Sequence, residues 1–401
     1  MKVRIHLFAI SFFVISYLGA QTNSYKLKDS IFTNLTDALT NPQQVYKLRL
    51  INQHINTSTV NLSLFTNLQE LTLSYDNLLN LPEGLEKLEK LTVLDISANN
   101  FTLLPEQLAL IPNLEELYLN NEKYLNLDQS FTVINKITHL KRLHLDSIPN
   151  FKLPKHIKLN NTIEYLSMRY DGLNSIPNQL RKFKHLKELD LEGNTITSVS
   201  RNFLKNKELE SLVLSISPQF KFKKSFLVLA KEPKLNSLTI SNSEIDILMD
   251  DFSILNNISS LSLRNDHLKI FPTSIINLKN LKNLDLSGND FKTLPSTLLS
   301  LNKLETLDLT DDNYLNFDLT ADVIRYLPSI RLVRVQNYDF TFNSDSYLQF
   351  KQNTNYIELF PKTKNSSFIH MFKELRPASK PVLNIPFNNF NAEGFGIRLG
   401  F

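Results

Sequence analysis

The 401-residue sequence contains no cysteine and only eight glycines. Without cysteine the protein has no disulfide bond, no thiolate nucleophile and no cysteine-ligated zinc site. So few glycines exclude most loops that cradle phosphate groups, and neither G-x-x-x-x-G-K-[ST] nor G-x-G-x-x-G occurs. Because H-E-x-x-H and G-x-S-x-G motifs are also absent, we expect no enzymatic activity, no metal site and no cofactor.

Charge of one sign is not concentrated anywhere in the sequence. The formal net charge is +4, and acidic and basic residues are interspersed. A nucleic-acid-binding protein usually carries a basic stripe, so this charge distribution predicts no nucleic-acid partner. The two acidic pairs, Asp250-Asp251 and Asp311-Asp312, are interpreted as solvated turn residues and not as calcium ligands.

One long apolar run lies at the N-terminus, where Lys2 and Arg4 precede the run 7–18 and Gly19-Ala20 follow it. The run is short for a bilayer span, so the pattern predicts a signal peptide over residues 1–20 that is cut before Gln21. An uncleaved anchor is the alternative. Either way, the protein is predicted to be exported.

Leucines recur at fixed spacing through the middle of the sequence, and residues 281–303 show the pattern most clearly. The alternation of Leu284 and Leu286 predicts a short strand with one buried face. Asn289 follows at a place from which its amide is able to bind backbone groups of a neighbouring turn, and Pro295 ends that turn. One such unit cannot bury its own leucines, so it requires similar units on both sides.

This pattern resembles the leucine-rich repeat family in its 23-residue form, L-x-x-L-x-L-x-x-N-x-L-x-x-L-P-x-x-L. Repeats of this kind begin at Val45, Leu68, Leu91, Leu114, Leu140, Ile163, Leu186, Leu209, Leu235, Ile258, Leu281, Leu304 and Ile330. The spacings 23, 23, 23 and 26 recur three times, which gives a 95-residue super-repeat. The resemblance implies an α/β solenoid, a curved horseshoe of about 13 repeats with a parallel concave sheet and an irregular or helical convex side.

Particular residues repeat with the 95-residue period as well. Counted from the first leucine, the ninth position holds asparagine in one repeat of each super-repeat and aspartate in the preceding repeat: Asn99, Asn194, Asn289, Asp76, Asp171 and Asp266. Other repeats carry Gln53, Glu122, Ile148, Ser217, Ser243 and Tyr338 there. The asparagine ladder typical of the family is therefore interrupted. The 26-residue repeats carry a longer apolar segment, which predicts a helical turn or two.

The repeats define the predicted domain organisation: signal peptide 1–20, N-terminal cap 21–44, leucine-rich repeat domain 45–340, and C-terminal cap and tail 341–401. In the N-terminal cap, the spacing of Leu27, Ile31, Leu35 and Leu39 predicts a short amphipathic helix over the first strand edge. The final segment 394–401 alternates apolar residues with glycine and arginine. That alternation suits an ordinary strand or tail, or a strand that docks into an outer-membrane assembly.

A binding surface is predicted on the concave face, where residues between the buried leucines point to solvent. Repeats four to six combine aromatic, arginine and acidic side chains of the types favoured at binding hot spots: Tyr118, His144, Asp146, Tyr165, Arg169 and Tyr170. A chance grouping of polar residues is the alternative.

The family resemblance implies a non-catalytic module that binds a partner on its concave face, in adhesion, host interaction or envelope scaffolding. We expect a monomer with a protein partner, or with a glycan. Extracellular repeat proteins of animals and plants usually have disulfide-bonded caps, so a sequence without cysteine suggests a bacterial protein, secreted or at the outer membrane or cell surface. The alternative is an outer-membrane-associated assembly component docked through its C-terminal strand.

Overall fold

The computed structural model describes residues 31–155, 162–243, 252–312, 314–316, 319–320, 323–324, 326–337, 356–361 and 397–400. The protein divides into two compact units. The first comprises residues 1–173, 177–191 and 205–208, and the second comprises residues 174–176, 192–204 and 209–401. The predicted signal peptide and the acidic pair Asp250-Asp251 lie outside the described residues.

The first unit is built on parallel strands that pair in sequence order. Strands β1 to β8 span Ile31–Phe32, Lys47–Ile51, Glu70–Ser74, Val93–Asp95, Glu116–Tyr118, Arg142–His144, Tyr165–Ser167 and Glu188–Ile196. Equivalent repeat positions lie side by side, as where Leu94 pairs with Leu117 and Leu117 with Leu143. The last strand, β8, continues past Leu191 into the second unit.

The second unit continues the same pattern. Strands β9 to β16 span Ser211–Ile216, Ser237–Ser241, Ser260–Arg264, Asn283–Asp285, Thr306–Leu309, Leu332–Asn337, Tyr356–Pro361 and Ile397–Gly400. Strands β9 to β15 pair in parallel, and β16 pairs antiparallel with β15. Each of the thirteen predicted repeats contributes one strand, β2 to β14, so the predicted leucine-rich repeat solenoid is confirmed.

The core of each unit consists of the leucines that define the repeat. The first, fourth and sixth positions are buried in all thirteen repeats, as Leu281, Leu284 and Leu286 illustrate. The third, fifth and seventh positions alternate with them and lie on the opposite side of the sheet. We call that side the open face.

Short helical segments return the backbone from one strand to the next. The α-helices are α1, Leu35–Thr40; α2, Leu127–Ile134; and α3, Phe222–Leu229. The 3₁₀ helices are Pro42–Gln44, Leu62–Leu64, Leu85–Lys87, Glu106–Leu110, Asn178–Lys182, Arg201–Lys205, Phe252–Ile254, Thr273–Asn277 and Ser296–Ser300. Helices α2 and α3 lie in the first two 26-residue repeats, as the longer apolar segments predicted. Among the helices of the described ranges, none has the length and apolarity that a membrane span requires.

The start of the described structure differs from the predicted helical cap. Ile31 belongs to strand β1, which pairs with β2, and helix α1 begins only at Leu35, capped by the side chain of Asn34. Leu39 is exposed, and Ala38 is the residue that α1 buries. The first repeat strand is therefore covered by a further strand, because pairing satisfies its backbone groups directly.

The eighth position has a left-handed backbone in eleven of the thirteen repeats. Positive φ angles occur there at Asn52, Tyr75, Ala98, Asn121, Ser147, Tyr170, Gly193, Asn242, Asn265, Gly288 and Asp311. Glycine and asparagine suit this conformation, but tyrosine, alanine and serine adopt it at an energetic cost. At Gly288 a Cβ atom would overlap Oδ1 of Asn265, so a larger residue there would have to displace the exposed Asn265 side chain as well as adopt the left-handed conformation.

The ninth position forms a hydrogen-bonded ladder between successive repeats. Asn99 is buried, accepts hydrogen bonds from the backbone N–H groups of Asp76 (3.1 Å) and Leu78 (3.0 Å), and donates to the carbonyls of Leu73 (2.7 Å) and Ile96 (2.8 Å). Asn289 is bonded in the same way.

Two of the predicted interruptions of this ladder, Glu122 and Ser243, keep a side-chain acceptor. Oε1 of Glu122 accepts from the backbone N–H of Asn99 at 2.9 Å, and Oδ1 of Asp266 accepts from that of Ser243 at 2.9 Å. The hydroxyl of Ser243 accepts in turn from the backbone N–H of Ile216 at 3.0 Å. Carboxyl and hydroxyl oxygens thus replace the asparagine amide where the repeat needs an acceptor from its neighbour.

Several ladder carboxyls are buried deeply enough to change their acidity. Burial raises the pKa of Glu122, Asp266 and Asp312 to about 7 each, and that of Asp171 to about 8. In Glu122, Asp266 and Asp312 the second carboxyl oxygen has no hydrogen-bond partner among the described residues. The interpretation of Asp312 as a solvated turn residue is therefore wrong: it is the ninth residue of its repeat and is fully buried.

Candidate functional site

Five polar and aromatic side chains meet on the open face of the first unit. They come from adjacent strands: Glu116 and Tyr118 on β5, Arg142 and His144 on β6, and Tyr165 on β7. The parallel register places Glu116 beside Arg142 and Arg142 beside Tyr165, and it places Tyr118 beside His144. We call these five residues the Glu116 cluster.

The rings of the cluster stack across the strands. The ring centroids of Tyr118 and His144 are 3.8 Å apart and the rings are nearly parallel, at 12°. Tyr165 follows, with its centroid 4.9 Å from that of His144 and a tilt of 42°. The guanidinium carbon of Arg142 lies 3.9 Å from the centroid of Tyr165, within the range of a cation–π contact. Four side chains from three repeats are thereby held in fixed orientations.

A single carboxylate oxygen, Oε1 of Glu116, ties the stack together. It accepts hydrogen bonds from the hydroxyl of Tyr118 at 2.9 Å and from Nε of Arg142 at 3.1 Å. Nε2 of His144 lies 2.8 Å from the same oxygen, so the tautomer protonated at Nε2 donates to it. Three donors from two strands on one charged acceptor form a rigid network, because the rings of Tyr118 and His144 stack on each other and the guanidinium of Arg142 lies over Tyr165.

The network shifts the acidity of its members. Burial alone would raise the pKa of Glu116, but the hydrogen bonds from His144, Tyr118 and Arg142 outweigh it and hold the pKa below its usual value. Burial lowers the pKa of His144 despite the neighbouring carboxylate, so the imidazole is neutral at pH 7. Burial raises the pKa of Tyr165 to about 12, and the negative charge of Asp190 is the next largest cause. The cluster therefore presents one anion, one cation and three neutral rings.

The other three predicted site residues lie towards the strand ends. Oδ1 of Asp146 accepts hydrogen bonds from the hydroxyl of Ser167 and from the backbone N–H of Arg169, so this carboxylate links two repeats. Arg169 lies with its Nε 3.7 Å from Oδ2 of Asp190 and its guanidinium 5.7 Å from the ring centroid of Tyr170. Tyr170 is 56% exposed and occupies the left-handed eighth position. The structure thus joins Tyr118, His144 and Tyr165 in one cluster and places Asp146, Arg169 and Tyr170 beside it.

Glu116 and Arg142 were missing from the predicted site. Both occupy the third position of the repeat, which lies on the same face as the fifth and seventh positions. Side chains of a strand alternate between its two faces, so the residue two positions before each fifth-position residue lies on the same face. Applying this alternation to the third position identifies Glu116 and Arg142. Among the described residues, no group of three or more histidine and acidic side chains could hold a metal ion.

The charge on Glu116 is expected to contribute to stability in a pH-dependent way. The variant Glu116→Gln should lower the free energy of unfolding at pH 7 by about 2 kcal/mol, because three donors lose a charged acceptor. The folded-state pKa lies below the usual 4.5, so this stabilisation is present above pH 4.5 and is lost as the pH falls through the folded pKa. Urea unfolding of both proteins, followed by far-UV circular dichroism at pH 7 and at about pH 3, measures the difference.

Glu115→Gln is the matched control for this prediction. Glu115 is the preceding residue and forms an exposed ion pair with Lys141, with 2.8 Å between Oε1 and Nζ. An exposed ion pair contributes little, so this variant should change the free energy of unfolding by less than about 1 kcal/mol. An effect of Glu116→Gln that is equal at both pH values would contradict the role assigned to its charge.

Comparisons with known proteins agree with the repeat architecture. A family model described as leucine rich repeat matches residues 66–123, which include β3 to β5. A search of curated proteins gave no match.

Solved structures provide similar proteins from bacteria and animals. A leucine-rich repeat protein of Leptospira interrogans is 25% identical, and the match covers 76% of the present sequence and 99% of the Leptospira protein, with a TM-score of 0.37. An internalin of Listeria monocytogenes is 20% identical, with coverages of 81% and 88% and a TM-score of 0.47. A component of the mouse RP105/MD-1 complex is 18% identical, with coverages of 80% and 63% and a TM-score of 0.46. Residues 66–123 match the leucine-rich repeat family model, and the same strand and buried positions recur in all thirteen repeats, so the leucine-rich repeat architecture extends beyond the matched segment.

Proposed function

We propose that this protein is an exported, non-catalytic module that binds a protein partner through the Glu116 cluster on the open face of its first unit. Leucine-rich repeat domains serve as protein-interaction modules, which supports the general assignment. The assignment of the binding site to the Glu116 cluster rests on one observation, the stack of Tyr118, His144 and Tyr165. Glu116 and Arg142 hold this stack in place. The proposal takes the protein to act as a monomer.

The chemistry of the cluster suits a protein interface. Tyrosine and arginine are enriched among residues that dominate binding energy, because they offer large contact areas with polar groups at the end. Rings that are already stacked lose little conformational entropy when a partner docks. The eight strands of the first unit, about 4.8 Å apart, extend over roughly 34 Å, which is wide enough for a standard protein interface.

Export is supported by the pattern of residues 1–20, with its basic start and apolar run. We place the protein at a bacterial surface or in the surrounding medium because the sequence has no cysteine. The competing role, docking into an outer-membrane assembly through the C-terminal strand, draws no support from β16, whose backbone pairs with β15 of the same molecule.

Cross-linked capture of partners from the surface of the native organism and its surroundings would test the proposal. The variant Tyr118→Ala/Tyr165→Ala should weaken binding of the captured partner at least tenfold, or about 1.4 kcal/mol, as expected for hot-spot residues. Tyr124→Ala is the control, since Tyr124 is an exposed tyrosine of the same unit outside the cluster. Circular dichroism and urea midpoints of all variants would confirm folding. A partner that binds the double variant as tightly as the wild type would refute a site at the cluster.

A further inference from the structure

The guanidinium of Arg142 is held in place on two sides while its end remains open. Its Nε donates to Oε1 of Glu116 at 3.1 Å, and its guanidinium carbon lies 3.9 Å from the ring centroid of Tyr165. The side chain is nevertheless 39% exposed. A long side chain on a sheet surface normally samples several rotamers, so these two contacts fix an orientation that the residue would not otherwise keep.

The two terminal nitrogens of Arg142 have no hydrogen-bond partner in the part of the protein that the structure describes. This distinguishes Arg142 from Arg264, whose terminal Nη2 donates to Oε1 of Glu192 at 2.9 Å. It also distinguishes it from Arg49, which is exposed on the same face of the first unit. Arg142 thus combines a fixed guanidinium with unused donors.

We propose that Arg142 binds a carboxylate of the protein partner, from an aspartate, a glutamate or the partner's C-terminal residue, through two parallel hydrogen bonds from its terminal nitrogens. The inference rests on the proposed function, because it specifies what the Glu116 cluster recognises. Nε of Arg142 is already bonded to Glu116, so a planar acceptor can form two hydrogen bonds only with the two terminal nitrogens. The two oxygens of a carboxylate match the spacing of these nitrogens.

The charges around the cluster disfavour a doubly charged anion more than a singly charged one. The negative charge of Glu116 offsets the positive charge of Arg142, and the carboxylates of Asp95, Asp146 and Asp190 are near enough to act on Tyr118, His144 and Tyr165. A phosphate dianion usually needs several cations, whereas one carboxylate requires one guanidinium.

The test uses the full-length protein labelled with ¹⁵N-arginine and follows the Nε–H signal of Arg142 by NMR, assigned by its loss in Arg142→Lys. The probe is glutamate acetylated and amidated at its termini, added up to about 100 mM, and the control is the matching glutamine derivative. We expect a saturable shift of the Arg142 signal with a millimolar dissociation constant for glutamate and binding at least tenfold weaker for glutamine. Arg49→Lys should leave the glutamate titration unchanged.

Binding of the same probe to uniformly ¹⁵N-labelled wild type and Arg142→Lys, monitored on backbone amides of β5 to β7, separates geometry from charge. A loss of at least tenfold supports bidentate recognition, and equal binding overturns it. Absence of a saturable shift in the wild type also overturns it, and this outcome does not depend on a variant folding. If glucuronate or inorganic phosphate bound more tightly than the glutamate probe, the inferred ligand would be a glycan acid or a phosphate, and a protein carboxylate would be ruled out. If the glutamate probe does not bind but a captured partner still requires Tyr118 and Tyr165, the carboxylate inference is refuted and the proposed function is not.

Discussion

Replacing Asn289 with alanine is expected to lower the free energy of unfolding by about 4 kcal/mol, the cost of leaving several buried backbone groups without partners. The side chain is 1% exposed. Its Oδ1 accepts from the backbone N–H of Leu268 at 3.0 Å, and its Nδ2 donates to the carbonyls of Leu263 at 2.6 Å and Leu286 at 2.8 Å. Alanine can replace none of these bonds, and the site is buried. Urea unfolding followed by far-UV circular dichroism would measure the loss.

Asn283 provides the control within the same repeat. It is exposed on the open face, and its side-chain oxygen accepts a hydrogen bond from the hydroxyl of Thr306 at 2.7 Å. Asn283→Ala should change the free energy of unfolding by about 0.5 kcal/mol or less, because water replaces that bond. If the two variants were equally stable, the ladder would not contribute to stability in the way that its geometry indicates.

Replacing Phe226 in helix α3 of the second 26-residue repeat is expected to lower the free energy of unfolding by a similar amount. Phe226 is fully buried in α3, with ring centroids 5.8 Å from Phe222 and 5.1 Å from Phe252 of the following repeat. Phe226→Ala removes apolar contact from both repeats and leaves a cavity that neighbouring rings fill only in part. We expect the free energy of unfolding to fall by about 4 kcal/mol, measured by the same urea titration.

The adjacent residue Leu227 tests whether this loss comes from burial or from the helix itself. Leu227 is 48% exposed, and leucine and alanine have similar helix propensities. Leu227→Ala should therefore cost less than about 1 kcal/mol. A comparable loss in both variants would mean that helix formation, and not the packing of Phe226, limits stability.

The repeat strands could be predicted from the sequence because their cause is local and repeated. Buried residues at the first, fourth and sixth positions alternate as a half-buried strand requires, and the pattern recurs too often to arise by chance. The ends of the sequence lack that repetition. The spacing of apolar residues predicts a helix that includes Ile31. In the structure Ile31 and Phe32 form strand β1, which pairs with β2.

The candidate site could be predicted only in part, because contact between side chains depends on which residues share a face and a level of the sheet. Tyr118, His144 and Tyr165 were expected from their residue types and their neighbouring repeats, and the structure does bring them together. Glu116 and Arg142 gave no such signal, since charged residues on a strand surface usually contact water. Their role follows from the distances to the rings, which the sequence does not contain.

The buried acids of the repeat ladder couple folding to proton uptake. The unfolded protein releases the protons of Glu122, Asp171, Asp266 and Asp312 near pH 4, whereas the folded protein keeps them to about pH 7 or 8. Within that window the folded state binds more protons, so the contribution of these groups to the free energy of unfolding falls as the pH rises. The ladder thus opposes the effect of Glu116, which stabilises the fold only once it is ionised. Mild acid is consequently the condition in which both contributions are favourable.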